Sequence, residues 1–140
     1  MQLSDFMTGP TLGTGSYGRV RQVKLKQKPR EVYALKMLKK FEILKRNQLE
    51  HLKNEKDILS SVDNHFIIKL KGSFQDEHYV YMLLEYICGG ELFGRLRKEG
   101  RFSNDVALFY ITEIIVALSY LHDNNIAYRD LKPENILIDR

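Results

Sequence analysis

The feature that most constrains what this chain can fold into is a change of hydrophobic period at the pair Gly89-Gly90. Before the pair, apolar residues mostly alternate with polar ones; after it they recur at helical spacing. A period of two builds strands, and a period near 3.6 builds helices. Val23 and Leu25 alternate with charged neighbours, and Val32 to Leu35 follows a turn at Lys28-Pro29-Arg30, as in an antiparallel ladder. Ile67 to Leu70 and Tyr79 to Glu85 read as two more strands joined by the polar turn Gln75-Asp76-Glu77-His78. Pro10 has no backbone donor, so the first strand is expected at a sheet edge or interrupted. Residues 47–62 switch to helical spacing, which makes five strands and one helix the expectation for this half.

Two domains follow, residues 1–87 and residues 88–140. In the second, Glu91 to Lys98 reads as a short amphipathic helix that Gly100 ends as a C-cap. Ser103 or Asn104 then caps a longer helix to about His122, with Asp105 well placed in its first turn. Val106, Leu108, Phe109, Ile111, Ile114, Ile115, Leu118 and Leu121 make that helix apolar on most sides. Such a helix is expected to be buried, and little of the sequence follows it to do the burying.

Composition excludes some classes of function. A hydrophobic fraction of 44% and a charged fraction of 29% are those of a soluble globular protein. The uninterrupted apolar runs, such as Ile114 to Leu118, are far short of the roughly 20 residues of a membrane span. No basic-then-apolar leader opens the sequence, and Met1-Gln2 lacks the glycine that myristoylation needs. A cytoplasmic setting, with nuclear entry open, is therefore expected. The net charge of +4 is spread out, with a loose concentration at Lys36, Lys39, Lys40, Lys45 and Arg46. Without aromatic–basic interleaving or zinc spacing, this does not point to nucleic acid. The single cysteine, Cys88, excludes an internal disulfide and fits a reducing compartment.

Three segments carry chemistry. Gly13-Thr14-Gly15-Ser16-Tyr17-Gly18-Arg19-Val20 is a G-x-G-x-x-G-x-V pattern, in which glycines let backbone amides approach phosphate oxygens. By itself it is equally a plain hairpin turn. The alternating Arg21 to Lys26 after it argues against a dinucleotide fold, which needs a helix there. Ala34-x-Lys36 places a lysine in an apolar strand, where snorkelling to solvent is the simple reading. At 100° per residue, however, Glu55 lies on the same helical arc as Leu52, Ile58, Leu59 and Val62. A carboxylate on that stripe needs a cation, and Lys36 is the natural one. At 4 Å and an effective dielectric of 20 the pair would attract by roughly 4 kcal/mol before desolvation. Its use would be to hold the ammonium for α- and β-phosphates.

The third segment is Tyr128-Arg129-Asp130-Leu131-Lys132-Pro133-Glu134-Asn135, followed by an expected strand Ile136-Leu137-Ile138. An aspartate there can accept a hydroxyl proton, a lysine can neutralise a transferring phosphate, and an asparagine can hold a metal ion.

In this order the three signatures resemble those of the protein kinases, from about Phe6 to Asp139. Tyr128, where most kinases have histidine, is characteristic of the AGC group. Asn54-Glu55-Lys56, Leu84-Glu85-Tyr86, Gly89-Gly90-Glu91-Leu92-Phe93, Gly100-Arg101-Phe102-Ser103 and Tyr128-Arg129-Asp130 are most similar to the cyclic-AMP-dependent kinases, with the cyclic-GMP-dependent ones close behind. The resemblance implies an α+β, protein-kinase-like fold. Its N-lobe would be a five-stranded antiparallel sheet with helix C, joined to the first helices and catalytic loop of a helical C-lobe. It implies ATP and Mg2+ as cofactors and transfer to Ser/Thr.

By the same resemblance, Gly13, Thr14, Gly15, Ser16, Tyr17 and Gly18 would hold the phosphates. Lys36 would bind the α- and β-phosphates, and Glu55 would orient it. Leu12, Val20, Ala34 and Leu137 would sandwich adenine, Leu84 would be the gatekeeper, and Glu85 and Ile87 would bond the adenine edge through their backbones. Asp130 would be the catalytic base, Lys132 would contact the γ-phosphate, and Asn135 would hold the second magnesium ion. Glu91 would touch the ribose, and Glu91 and Glu134 would receive substrate arginines, which implies sites such as Arg-Arg-x-Ser/Thr. A cyclic-nucleotide-binding regulatory subunit is a further implied partner.

Three departures qualify the resemblance. The D-F-G, activation segment and A-P-E of a kinase are absent from these 140 residues. A polypeptide of this sequence alone is therefore expected to be inactive and to self-associate through its long helix. The alternative reading is a truncated, inactive protein that binds nucleotide or a kinase partner. Gly9-Pro10 departs from the usual apolar first strand, and Cys88 stands where proline is common, as a small hinge residue rather than a redox switch.

Overall fold

In a computed structural model, residues 1–15 and 18–139 are described. They fall into two compact units, one of Met1–Asp63 with Ile68–Tyr86, the other of Asn64–Ile67 with Ile87–Arg140.

The first unit is built on five antiparallel strands, β1 (Phe6–Gly15), β2 (Gly18–Leu25), β3 (Lys28–Lys39), β4 (Leu70–Gln75) and β5 (Tyr79–Glu85), in the order β1-β2-β3-β5-β4. Alternation along β3 and β5 assigns their side chains to two faces. On one, Leu35, Met37, Tyr81 and Leu83 join Phe6 and Val23 in a core. Phe74 stacks between Phe6 and Tyr81 there, at centroid distances of 5.7 and 4.5 Å. On the other, Leu38 and Met82 pack with Ile43 of helix α1 (Lys40–Lys45) and with Leu52 and Leu59 of helix α2 (Leu49–Ser61). Ala34 and Lys36 share this second face by the same alternation. The tight β4–β5 turn is held by Asp76, whose carboxylate accepts from the amides of His78 and Tyr79 and from the Tyr81 hydroxyl.

Pro10 behaves as its chemistry requires. β1 is an edge strand, and its pairing with β2 slips twice. Gly9 and Pro10 together face Gln22, and Leu12 is a second extra residue between the pairs Thr11–Arg21 and Gly13–Val20.

Several local expectations are corrected. The β2–β3 turn is at Lys26-Gln27, and Pro29 lies inside β3. It is tolerated because β3 bulges there, with Lys28 paired to Leu25 and Val32 to Lys24. The strand expected at Ile67 to Leu70 starts at Leu70 and runs to Gln75, because the Asp76 turn fixes Gln75 opposite Val80 and the ladder grows back from that pair. Two helices, not one, accompany the sheet. The sequence reading missed α1 because its lysines look like a charge cluster and because Asn47 ends it in place of glycine. Asn47 takes the left-handed conformation (φ 53°), and its amide and that of Gln48 cap the carbonyls of Leu44 and Ile43. No residue of α2 is fully buried, so the stripe carrying Glu55 is half-buried.

The second unit contains α3 (Leu92–Glu99), which Gly100 ends at φ 75°, and α4 (Asn104–Asp123). Ser103 caps α4 by accepting from the Val106 amide. α4 ends in a Schellman motif at Asn125, with the Ile126 amide on Leu121 and the Asn125 amide on His122. Only Tyr110 and Leu121 of α4 are buried. Leu108, Phe109, Ile111, Ile115 and Val116 are at least 45% exposed. By length and composition α4 is long and apolar enough to cross a membrane, a test that the core helix of a soluble protein also passes. Counting uninterrupted runs missed this, because Thr112 and Glu113 break a run without much lowering the average of a 20-residue helix. Ile136-Leu137-Ile138 is not a strand: it makes one bridge, Leu137 to Glu91. Amide bonds from Gly89 to Ile138, Leu92 to Ile136 and Ile138 to Gly90 flank that bridge.

Candidate functional site

Lys36 and Glu55 are brought together. Lys36 comes from the middle of β3, Glu55 from the second turn of α2, and the ammonium donates to Oε1 at 2.6 Å. The side chains are 28% and 42% exposed, so water screens the pair, and its net contribution to stability is at most ~1 kcal/mol. The arrangement holds an ammonium at a defined place and leaves part of it open to solvent.

The β1–β2 hairpin carries the glycine pattern. Gly15 pairs with Gly18, and the expected phosphate contacts Ser16 and Tyr17 lie outside the described residues. The glycines divide by cause. A Cβ at Gly18 would lie 1.8 Å from the Met37 carbonyl oxygen, so β3 itself demands glycine there. Among the described residues, a Cβ at Gly13 or Gly15 would meet nothing within 4 Å, and neither residue has a positive φ. Among those residues, neither packing nor backbone conformation demands glycine at these two positions. Thr14 is exposed beside them.

Of the expected adenine contacts in this unit, Val20 pairs with Lys36 across β2–β3, and Ala34 pairs with Leu84 across β3–β5. Ala34 and Leu84 are buried, whereas Leu12 is exposed on its bulge. The Glu85 amide donates to the Lys69 carbonyl, and its carboxylate accepts from the Lys69 amide at 2.7 Å.

In the second unit, Glu91 is the N-cap residue of α3, and the Gly94 and Arg95 amides donate to its carbonyl. Its bridge to Leu137 brings these two expected contacts side by side, with Ile87 half-buried just upstream. A Cβ at Gly89 would lie 2.2 Å from the Ile138 carbonyl oxygen. The sequence reading took the double glycine only as a break in pattern and missed this close approach.

The tightest constellation is at Asp130. Lys132 Nζ donates to Asp130 Oδ1 at 2.9 Å, and Asn135 Nδ2 donates to Oδ2 at 2.7 Å and to the Asp130 carbonyl at 2.8 Å. The Lys132 ammonium first, then the Asn135 amide, holds the Asp130 carboxyl below the usual carboxylate range. Asp130 in turn raises Lys132. A 3-10 turn over Pro133–Asn135, with the Asn135 amide on the Lys132 carbonyl, folds the segment back so that residues two and five positions on reach one carboxylate. Arg129, at φ 63°, supplies the left-handed step before it, a conformation costly for a residue with a Cβ. Nothing in the sequence marked Arg129 for that conformation. Glu134 is exposed in the same turn. Among the described residues, no three His, Cys, Asp or Glu side chains are gathered to hold a metal.

Comparison with known proteins places these features in a family. The model of the protein kinase domain matches residues 6–140. cAMP-dependent protein kinase type 3 of Saccharomyces cerevisiae is 54% identical over 99% of this chain and 34% of its own length. The cAMP-dependent protein kinase catalytic subunit of Arthrobotrys oligospora is 52% identical over 99% of this chain and 26% of its own, and that of Dictyostelium discoideum 48% over 99% and 21%. The chain thus spans about a third or less of the length of these relatives. On the match over residues 6–140 and these identities, the chain belongs to the protein kinase family, in its AGC group.

Proposed function

We propose that the protein to which this sequence belongs is an ATP-dependent serine/threonine kinase of cyclic-AMP-dependent type, acting in basic sequence contexts. The observation that carries the reading is the Asp130 carboxylate, kept ionised between Lys132 and Asn135. An ionised carboxylate can accept the proton of a substrate hydroxyl as the oxygen attacks, and the lysine beside it can offset negative charge on the group in transit.

The residues fit ATP and magnesium. Gly13 and Gly15 leave room for phosphate oxygens at the backbone, Lys36 presents an ammonium, and Ala34 and Leu84 offer an apolar surface for a base. Asn135 is the candidate ligand to magnesium, which ordinarily needs only one or two protein ligands beside phosphate and water. When bound, ATP supplies the phosphoryl group and magnesium offsets its charge. Lys36 would grip the phosphates, Asp130 would orient the hydroxyl, and Glu91 and Glu134, both exposed carboxylates, would select arginine in the substrate. The cytoplasm, where ATP and reduced thiols prevail, is the proposed setting, and a cyclic-nucleotide-binding subunit the proposed regulator.

The test is phosphate transfer by the protein immunopurified from its source cells with an antibody to residues 40–55. Transfer to an Arg-Arg-x-Ser peptide at least tenfold faster than to its Ala-Ala-x-Ser counterpart is expected. Equal rates would remove the basic-context reading, and no transfer to any serine or threonine substrate would remove the kinase reading. A second reading, nucleotide binding without transfer, is favoured for a polypeptide of these 140 residues alone, because they contain no D-F-G.

A further inference from the structure

Two extra residues in β1 decide where the glycine hairpin closes. Had the pairing begun at Phe6–Leu25 continued in step, Gly13 would face Gly18 and four residues would form the tip. The bulge at Gly9-Pro10 and the one at Leu12 shift that register, so Gly15 faces Gly18 instead. The first bulge has little of its own to hold it. Pro10 donates no backbone hydrogen bond, and β1 has no neighbour on its outer side. Weakly specified edge strands slip.

Arg21 supplies the missing fixation. Its Nε and Nη2 donate to the carbonyl oxygen of Gly9, at 3.2 and 2.8 Å, so two donors of one planar group converge on the bulge. Gly9 is fitted to the same place: a Cβ there would lie 3.1 Å from Gln22 Oε1. Arg21 alternates with Val20 along β2, so it lies on the sheet face opposite Val20 and Lys36. It is therefore not placed as a phosphate ligand beside Lys36.

We propose that Arg21 is a positioning residue for nucleotide binding: by clamping the Gly9 carbonyl it locks the β1 bulge and hence the register that presents Gly13 and Gly15. The inference rests on the nucleotide reading of the hairpin, and its test separates the two. In the 140-residue chain, Arg21→Met keeps the length of the side chain and removes both donors. Amides of Thr11 to Gly15 and Gly18 to Val20 are expected to exchange with solvent about tenfold faster, with β5 amides unchanged. Binding of Mg-ATP, read by calorimetry, should weaken about tenfold, whereas binding of adenosine, which lacks phosphates, should change less than twofold.

Arg21→Lys keeps the charge without the fork. It should shift both readouts the same way, and it carries the test if Arg21→Met does not fold. An exchange profile identical to the parent's would overturn the proposal, as would equal losses of ATP and adenosine binding. If the parent takes up no ATP, the nucleotide reading falls and the exchange measurement still judges the clamp.

Discussion

At the scale of single residues, the structure separates groups that the sequence presents alike. The hairpin glycines are one case. Gly18 abuts the Met37 carbonyl and serves the fold, whereas among the described residues Gly13 and Gly15 border open space. Gly18→Ala should therefore cost about 2 kcal/mol or more in denaturant unfolding, as a strained core change does. Gly15→Ala should stay within ~0.5 kcal/mol and weaken ATP binding instead. A Gly18→Ala chain as stable as the parent would refute the division. Asp130 is the second case. Its folded value is lowered, so the stabilisation it gives the loop is present above the ordinary carboxylate value of about 3.9 and is lost as pH falls through the lowered one. Carbon-detected NMR should show Asp130 titrating below that value, and Lys132→Met should move it back up. An unchanged titration in Lys132→Met would mean that the ammonium is not the main cause.

At the scale of elements, what was legible in the sequence depended on whether a local rule decides the outcome. β5 was read to the residue because an apolar run bounded by a polar turn has one reading. The Gly100 stop was likewise legible, and of the two expected caps of α4, Ser103 and Asn104, the cap is Ser103. β4 was misplaced because Gly72 and Ser73 carry little β signal of their own, and the ladder from β5 overrides propensity there. The end of α1 escaped because Asn47 does what glycine more often does, whereas α4, expected to run to about His122, ends at Asp123. The Lys36–Glu55 pair was legible because a carboxylate on a half-apolar stripe has few ways to be satisfied. α4 raises a separate point: Leu108 and Ile115 lie seven residues apart on one side, at 65% and 58% exposure. A purified polypeptide of residues 1–140 should self-associate at micromolar concentration through this surface. Leu108→Glu with Ile115→Glu should abolish that in sedimentation velocity; a parent chain that stays monomeric would remove α4 as the cause.

At the scale of the whole molecule, the parts of phosphoryl transfer are present unequally. The groups proposed to hold nucleotide lie mainly in the first unit, and the proposed base with its lysine and asparagine lies in the second. The aspartate of D-F-G, which kinases use for the main magnesium ion, is in neither. Binding and catalysis are therefore separable by experiment. The 140-residue chain should bind ATP weakly and transfer no phosphate to an arginine-rich serine peptide. A chimera in which these residues are followed by the corresponding remainder of cAMP-dependent protein kinase type 3 of Saccharomyces cerevisiae, 54% identical over the shared part, should recover magnesium-dependent transfer. The donor segment brings no equivalent of Asp130, so Asp130→Asn in the chimera should lower kcat by about 10²–10⁴, the range for losing a general base, and leave the KM for ATP within a few-fold. Lys36→Met should act the other way, raising that KM as well as lowering kcat, because it removes a grip on the nucleotide itself. A chimera that folds and binds ATP yet turns over equally fast with Asp130→Asn would show that Asp130 is not the base. Transfer by the 140 residues alone, abolished by Asp130→Asn, would show that the D-F-G aspartate is not needed.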